Sequence, residues 1–136
     1  MPLYLLDTNI ISDAIRNTHG SCATRIMQER AENICTSIIV AAELRFGIEK
    51  KGSGELTERI DRALGSLPIM ALSSDADRFY GKLRADLERK GKVIGANDML
   101  IAAHALSIDA VLVTDNIDEF SRIQHLQIEN WLVRPG

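Results

Sequence analysis

The chain has 136 residues, of which 46% are hydrophobic and 26% charged, and its formal net charge is -3 at pH 7. This length predicts a single domain over residues 1–136 that can bury a core without disulfides. The slight net acidity excludes a surface that is basic throughout, but it leaves room for a local basic patch. Cys22 and Cys35 lack CxxC spacing, and no apolar run approaches a membrane span, so we expect a cytoplasmic protein.

The first half of the chain alternates short apolar strands with helices. Leu3–Leu6 is entirely apolar, as expected for a parallel strand that is covered on both faces. Ser37 is a typical N-cap for a long helix that ends at Gly52. In chain order, the predicted elements are a strand at Leu3–Leu6, helices at Asn9–Arg16 and Arg25–Glu32, a strand at Asn33–Thr36, and a helical hairpin formed by Ile38–Lys51 and Glu55–Gly65.

The second half continues the alternation. Pro68 lies near the start of a predicted third strand, which indicates an edge position in the sheet. Strands that alternate with helices predict an α/β fold, specifically a three-layer α/β/α sandwich around a mostly parallel five-stranded sheet. The predicted elements are a strand at Leu67–Leu72, a helix at Asp75–Lys90 capped by Ser73 and Ser74 and ended by Gly91, a helix beginning at Asn97 and Asp98, and strands at Ala110–Thr114 and Gln127–Trp131.

Acidic residues recur where predicted strands end or helices begin. Asp7 follows the first strand, Asp98 begins a helix, and Asp115 follows the fourth strand together with Asn116. The carboxyl ends of parallel strands and the adjoining helix starts form one rim of an open α/β sheet. Carboxylates gathered on one rim repel each other unless a hard cation binds them. The pattern therefore predicts a metal-dependent enzyme.

Each of these acids also has a structural interpretation. Asp7 is a suitable helix N-cap, although Thr8 would serve equally well. Asp98 follows Asn97, and such a pair at a helix start is often only a cap, which Asn97 alone can provide. Of the three acids between Asp115 and Glu119, at least one is expected to be an ordinary residue of a charged, solvated turn. Their shared place at one rim is what favours a common function.

Glu43 is harder to explain as a structural residue. It stands alone in an otherwise apolar stretch from Ile38 to Ile48, which predicts a helix that is buried on more than one side. A buried carboxylate must be paired, bind a metal or become protonated. Arg45 does not lie at pairing distance along the helix, and Gly47 carries no charge. A functional role for Glu43 is therefore favoured.

Basic residues recur on one face of the predicted helix at Asp75–Lys90. Arg78, Lys82 and Arg89 share this face, and a solvated surface is the simplest interpretation for an isolated helix. Beside an acidic metal site, however, a basic face suits a phosphodiester substrate such as RNA. His104 lies in an apolar helix and is predicted to be a hydrogen-bonded, partly buried histidine, since the chain has no HxH or HExxH spacing for zinc.

Four stretches of the chain are notable for their order and spacing: Tyr4–Asn9, Ser37–Gly47, Gly95–Ala105 and Leu112–Phe120. With the ending Ile128–Trp131, they resemble PIN domains, and specifically VapC-type toxins of bacterial toxin–antitoxin pairs. Any one of these motifs is weak, but together they are specific and cover nearly the whole chain.

The resemblance implies a Mg²⁺- or Mn²⁺-dependent endoribonuclease, usually a homodimer and possibly part of a higher assembly, inhibited by a cognate antitoxin whose tail enters the active site. It also implies an RNA substrate, and the similarity is closest to toxins that cut structured RNA such as initiator transfer RNA. The lack of a long apolar run predicts no membrane partner. Asp7 and Asp98 would bind the metal, with Glu43 as the third acid. The fourth motif places Asn116 where many relatives have Asp, so Asp115 or Glu119 would restore the charge; Thr8, Ser37 and Thr114 would support the site.

Two other functions remain open from the sequence. Phosphotransfer and phosphatase domains of receiver or haloacid type also place acids at strand ends, but they need paired acids or DxD after a strand. Asp7, Thr8 and Asn9 provide neither. A non-catalytic PIN-like module that binds RNA or protein is the second alternative, and Asn116 leaves it open.

Overall fold

The computed structural model describes residues 2–133 and confirms the predicted α/β fold. All five described strands run parallel, where the sequence predicted a mostly parallel sheet. The elements are β1 (Leu3–Leu6), α1 (Thr8–Arg16), α2 (Ser21–Gln28), a 3-10 turn (Ala31–Asn33), β2 (Ile34–Ser37), α3 (Ile38–Lys51), α4 (Gly54–Gly65), β3 (Ile69–Met70), α5 (Ala76–Lys90), α6 (Ala96–Ser107), β4 (Ala110–Val113), α7 (Ile117–Phe120) and β5 (Ile128–Glu129).

The sheet has the strand order β3-β2-β1-β4-β5, so β1 lies at its centre. Leu6 aligns with Thr36 of β2 on one side and with Val113 of β4 on the other. The chain first moves outward from β1 to β3 and then returns to the opposite side of β1 to form β4. This reversal makes the gap between β1 and β4 a topological switch point, where open α/β sheets bind their ligands.

The hydrophobic core lies on both faces of the central strands. Leu5, Leu112 and Val113 are completely buried, as expected for strands covered by helices on both sides. Because crossovers between parallel strands are right-handed as a rule, the strand order implies that α1 to α4 cover one face and α5 to α7 the other. Trp131 is buried and makes an edge-on contact to Tyr4, whose ring centroid is 5.0 Å away.

Some predicted boundaries were wrong. The helix predicted at Arg25–Glu32 lies instead at Ser21–Gln28, because Cys22 and Ile26 supply its inward-facing turn and Glu29 is already extended. The third strand has only two residues, Ile69–Met70, since it pairs only with the last two residues of β2. Its predicted edge position is confirmed. The fifth strand is likewise restricted to Ile128–Glu129.

Helix capping agrees with the prediction in part. Asp7, one of the two caps that the sequence offered with Thr8, caps α1, and its side chain accepts a hydrogen bond from the Thr8 backbone N–H. Asn97 is not a cap, because α6 begins one residue earlier after Gly95. Ser73 does not cap α5 either; its hydroxyl donates to Ser107 at the end of α6 instead. Gly52 and Gly91 end α3 and α5 in the left-handed conformation, as predicted.

The expectation that α3 is buried on more than one side is wrong for this chain. Val40, Leu44 and Ile48 face the core, whereas Ile38 and Phe46 are 45% and 67% exposed. The helix is apolar on its outer face as well, and composition alone does not distinguish an outer apolar face from a buried one. Among residues 2–133, no helix is long and apolar enough to cross a membrane.

Candidate active site

Asp7 lies at the switch point, where β1 ends and α1 begins. Its backbone N–H donates to the Val113 carbonyl of β4 over 2.9 Å. Its side-chain Oδ1 accepts from the Thr8 N–H at 2.8 Å, and Oδ2 accepts from the Thr114 hydroxyl at 2.7 Å. The carboxylate is therefore held between the ends of two adjacent parallel strands.

Glu43 reaches the same place from α3. The Thr8 hydroxyl donates to Glu43 Oε1 over 2.7 Å, which ties the first residue of α1 to the middle of α3. Ser37 fixes the start of α3, because its Oγ caps the helix by accepting from the Ile39 N–H. Glu43 is half-buried, whereas the sequence predicted complete burial. The hydrogen bond from Thr8, and not burial, therefore holds its carboxylate in this place.

Asp98 projects from the first turn of α6 and is hydrogen bonded to the Glu119 carboxyl. Two carboxyl groups form such a bond only by sharing a proton. Burial, this hydrogen bond and the negative charges of Asp7, Glu119 and Glu43 together raise the pKa of Asp98 to about 7. The elevated pKa reflects burial first and then the several carboxylates gathered around Asp98.

The fourth motif forms a short helix, α7, where the sequence predicted only a charged loop. Asn116 directly precedes this helix: its backbone N–H donates to Thr114 Oγ1 at 3.0 Å, and its side-chain amide donates to Glu119 Oε2 at 3.0 Å. Asn116 thus orients Glu119 against Asp98. Asp115 lies on another side, where Oδ1 accepts from the Asn9 amide at 2.9 Å.

The pKa of Asp7 is also raised, mainly by burial, which outweighs the opposing hydrogen bonds from Thr114 and Thr8. The charges of Glu43 and Asp115 raise it further. The sequence-predicted acids therefore act on one another across one site, even though they come from β1, α3, α6 and the segment after β4. These four segments therefore bring their acids to one rim of the sheet.

The PIN domain model matches residues 4–126 of this chain. The chain belongs to the PIN-domain family. Among curated proteins, this PIN domain is 44% identical to ribonuclease VapC2 of Rickettsia felis over 95% of this chain and 98% of that protein. It is 32% identical to the tRNA(fMet)-specific endonuclease VapC of Shigella flexneri, with 94% of this chain and 97% of that protein covered.

Solved structures give the same family relationship for this PIN domain. It matches the VapBC2 complex of Rickettsia felis bound to promoter DNA with a TM-score of 0.87 and 42% identity, over 95% of this chain and 98% of that chain. It matches the DNA-bound VapBC complex of Salmonella typhimurium with a TM-score of 0.86 and 33% identity, over 96% and 99% of the two chains. The likeness therefore extends over the whole PIN domain.

The predicted basic face of α5 is only partly close to the acids of this PIN domain. The Ser73–Ser107 hydrogen bond joins the start of α5 to the end of α6, so the two helices pack antiparallel. Arg89 consequently lies near the end of α6 that carries Asp98, and Arg78 lies roughly 16 Å further along the helix axis. Arg89 and Lys82 line a cavity of about 420 Å³. RNA binding by this face stays a prediction.

His104 connects α6 to the start of α3. It is completely buried, more than the partial burial expected, and its Nδ1 lies 2.7 Å from Ser37 Oγ. Burial lowers the pKa of His104, although the Ala71 backbone opposes this shift. Among the described residues, His104 Nε2 has no hydrogen-bond partner of normal geometry. In the sequence, an isolated histidine does not indicate such a contact between α6, which carries Asp98, and α3, which carries Glu43.

The donor chemistry of the site fits Mg²⁺ or Mn²⁺, which the family implies. Residues 2–133 contain no closed group of three or more acidic, histidine or cysteine ligands. Mg²⁺ does not need one, because it binds through one or two carboxylates and retains several waters. Asp7 and Asp98 supply such oxygens, and burial together with the neighbouring carboxylates raises the pKa of both. The site therefore suits a partly hydrated hard cation.

Proposed function

We propose that this PIN domain is a Mg²⁺- or Mn²⁺-dependent endoribonuclease, the toxin of a toxin–antitoxin pair. The observation that carries this proposal is the carboxyl pair of Asp98 and Glu119 beside Asp7 and Glu43 at the switch point. The similarity to proteins named ribonuclease VapC supports the same activity. Asp7 and Asp98 would hold the metal, with Glu119 as the nearest further acid.

The side chains around the metal have separable roles. Asp7 and Asp98 would hold the metal, which when bound would lower the pKa of a water molecule and place a positive charge near the scissile phosphate. Thr8 holds one oxygen of Glu43, so the other oxygen can orient the attacking water or accept its proton. Thr114 fixes Asp7 and, through Asn116, the start of α7. Ser37 acts by fixing the helix that carries Glu43.

The proposed substrate is RNA, with initiator transfer RNA as the first candidate. The curated relatives from Shigella flexneri and Salmonella typhimurium are named tRNA(fMet)-specific endonucleases, at 32% and 33% identity. Cleavage of an initiator transfer RNA would inhibit translation in the cytoplasm, where we place this protein.

A cognate antitoxin and a second copy of the chain are the proposed protein partners. The structural relatives named above are VapBC complexes, which supports an antitoxin partner and a higher assembly. The outer face of α3 supports a homodimer, because Ile38, Ala42 and Phe46 are exposed at helical spacing on one side. Apolar side chains grouped in this way favour a protein contact over solvent.

The decisive experiment is cleavage of initiator transfer RNA by the purified protein with and without Mg²⁺. We expect metal-dependent cleavage by the wild type and its loss in Asp98→Asn. Asp118→Asn is the matched control, since it neutralises an exposed acid of α7 and should leave cleavage unchanged. If the wild type binds RNA but cleaves neither this substrate nor total RNA with Mg²⁺ or Mn²⁺, the alternative of a non-catalytic binding module, left open by Asn116, replaces the nuclease.

A further inference from the structure

Three arginines meet at a cavity between α1 and α4, away from the face of α5 discussed above. The cavity has a volume of about 450 Å³. Arg16 comes from the end of α1, and Arg59 and Arg62 come from α4, while Thr18 and Ser66 add polar groups to the lining.

The charges in this cavity are only partly compensated. Arg59 pairs with Glu55 at 2.7 Å, one helical turn away. Arg16 and Arg62 are exposed, and neither makes an ion pair with any residue between 2 and 133. In a chain with 19 acidic and 16 basic residues, two unpaired guanidinium groups facing one cavity form a local positive site.

Arg16 also connects this cavity to the acidic site. It lines a second cavity, of about 180 Å³, that reaches Thr8 and Glu43. It lines a third, of about 810 Å³, that reaches Asn9 and Asp115. Since α1 begins at Thr8 and ends at Arg16, the positive site lies roughly 12 Å along the helix from the acids. A strand crossing the acidic site would thus have a path to Arg16.

A purely structural role accounts for part of this arrangement. Arg16 and Arg62 lie in the last turns of α1 and α4, where a positive charge interacts favourably with the helix dipole. That interaction would stabilise each helix separately. The helix-dipole interaction does not explain why Arg16 and Arg62 line the same cavity. It also does not explain why Arg16 lines two further cavities that reach the acids.

We propose that Arg16 and Arg62 bind backbone phosphates of the RNA strand beyond the cleavage position. The inference rests on the proposed function and adds to it the path of the substrate. The planar guanidinium group binds phosphate oxygens with two parallel hydrogen bonds, which suits a backbone contact. Such contacts set the position of the strand without reading its sequence. Arg59 contributes less, because Glu55 already compensates its charge.

The test is the salt dependence of RNA binding. Fluorescent initiator transfer RNA is titrated with Asp98→Asn protein over a salt series, so that binding is measured without cleavage. Adding Arg16→Gln and Arg62→Gln should weaken binding at low salt and reduce the slope of log K against log salt by about 1–2, close to one unit for each phosphate contact. Arg30→Gln with Arg84→Gln is the control, because it removes the same charge from exposed arginines outside the three cavities.

An unchanged slope in the Arg16 and Arg62 variant overturns the inference. So does a lower melting temperature with an unchanged slope, which would assign the two arginines to helix stability. Loss of binding to the antitoxin with an unchanged RNA slope would instead assign the surface to a protein partner. Failure of the wild type to cleave RNA contradicts the nuclease proposal separately, because the binding slope remains measurable without cleavage.

Discussion

Asp98 and Glu119 are hydrogen bonded to each other through their carboxyl groups, although one lies in α6 and the other in α7. Such a bond requires one proton on the pair, and burial, this bond and the neighbouring charges raise the pKa of Asp98 to about 7. When both carboxyl groups are ionised in the folded, metal-free protein, they repel each other. A bound divalent cation would reduce this repulsion. Substitutions at this pair should therefore change the free energy of unfolding, the affinity for the metal and the cleavage activity.

The metal-free Asp98→Asn variant should be more stable than the wild type at high pH. The folded pKa of about 7 exceeds the unfolded value, so the stability associated with the neutral Asp98 carboxyl is fully present below the unfolded pKa and lost as the pH rises through 7. Asn keeps the neutral, hydrogen-bond-donating form at every pH. We expect a gain on the order of 1–2 kcal/mol above pH 7, moderated by the partial exposure of the group, and almost none near pH 4.

Urea unfolding with a chelator present, at several pH values, measures this difference. Asp118→Asn serves as the control for a change in net charge. A gain of equal size at pH 4 and pH 8 would contradict the assigned pKa, since a charge that is absent at low pH cannot be relieved there.

Glu119→Gln should weaken the metal site more than Asp115→Asn does. Glu119 contacts Asp98, whereas Asp115 is directed toward Asn9. We expect Glu119→Gln to raise the Mg²⁺ concentration needed for half-maximal cleavage by about 10- to 100-fold, as for residues that support metal ligands. Circular dichroism must show that both variants are folded. The opposite ranking in a Mg²⁺ titration would make Asp115 the acid that serves the metal.

Thr114→Val should destabilise the protein and disturb Asp7. The Thr114 hydroxyl donates to Asp7 Oδ2 and accepts from the Asn116 backbone N–H, and the residue is completely buried. Removing it leaves two polar groups without this partner, at a cost of about 1–3 kcal/mol. Chemical denaturation measures the loss, and Thr114→Ser, which keeps the hydroxyl, should recover most of it. Equal losses in both variants would assign the effect to the missing methyl group.

Much of the fold followed from the sequence because apolar runs and strand ends carry clear local signals. Asp7 and Asp98 were identified from their places after a strand and at a helix start, and topology then determines that such places meet. Glu43 was identified through a wrong premise, because its helix is buried on one side only, with Ile38 and Phe46 exposed on the other. Its true support is Thr8, a contact between distant segments that local pattern does not reveal.

Other site features depended on tertiary structure. Glu119 was one of several acids in a charged stretch, and only the helical turn of α7 shows that it faces Asp98. His104 and Ser37 are far apart in the chain, and neither residue predicts their contact. Arg16 and Arg62 end different helices, where helix-dipole stabilisation explains each one in isolation. Residues that act through spatial convergence have no local sequence signature.

Phe46→Ser should weaken the proposed homodimer without unfolding the chain. Phe46 is 67% exposed and lies on the outer face of α3 with Ile38 and Ala42, so its removal leaves no cavity in the core. A phenyl ring buried at an interface contributes about 2 kcal/mol, and a symmetric contact loses it twice. Analytical ultracentrifugation should show dissociation at a concentration at least tenfold higher than for the wild type, with an unchanged melting temperature of the monomer. Lys50→Ser, on the same helix, is the control for surface mutation, and equal dimer affinity in both variants would move the interface away from α3.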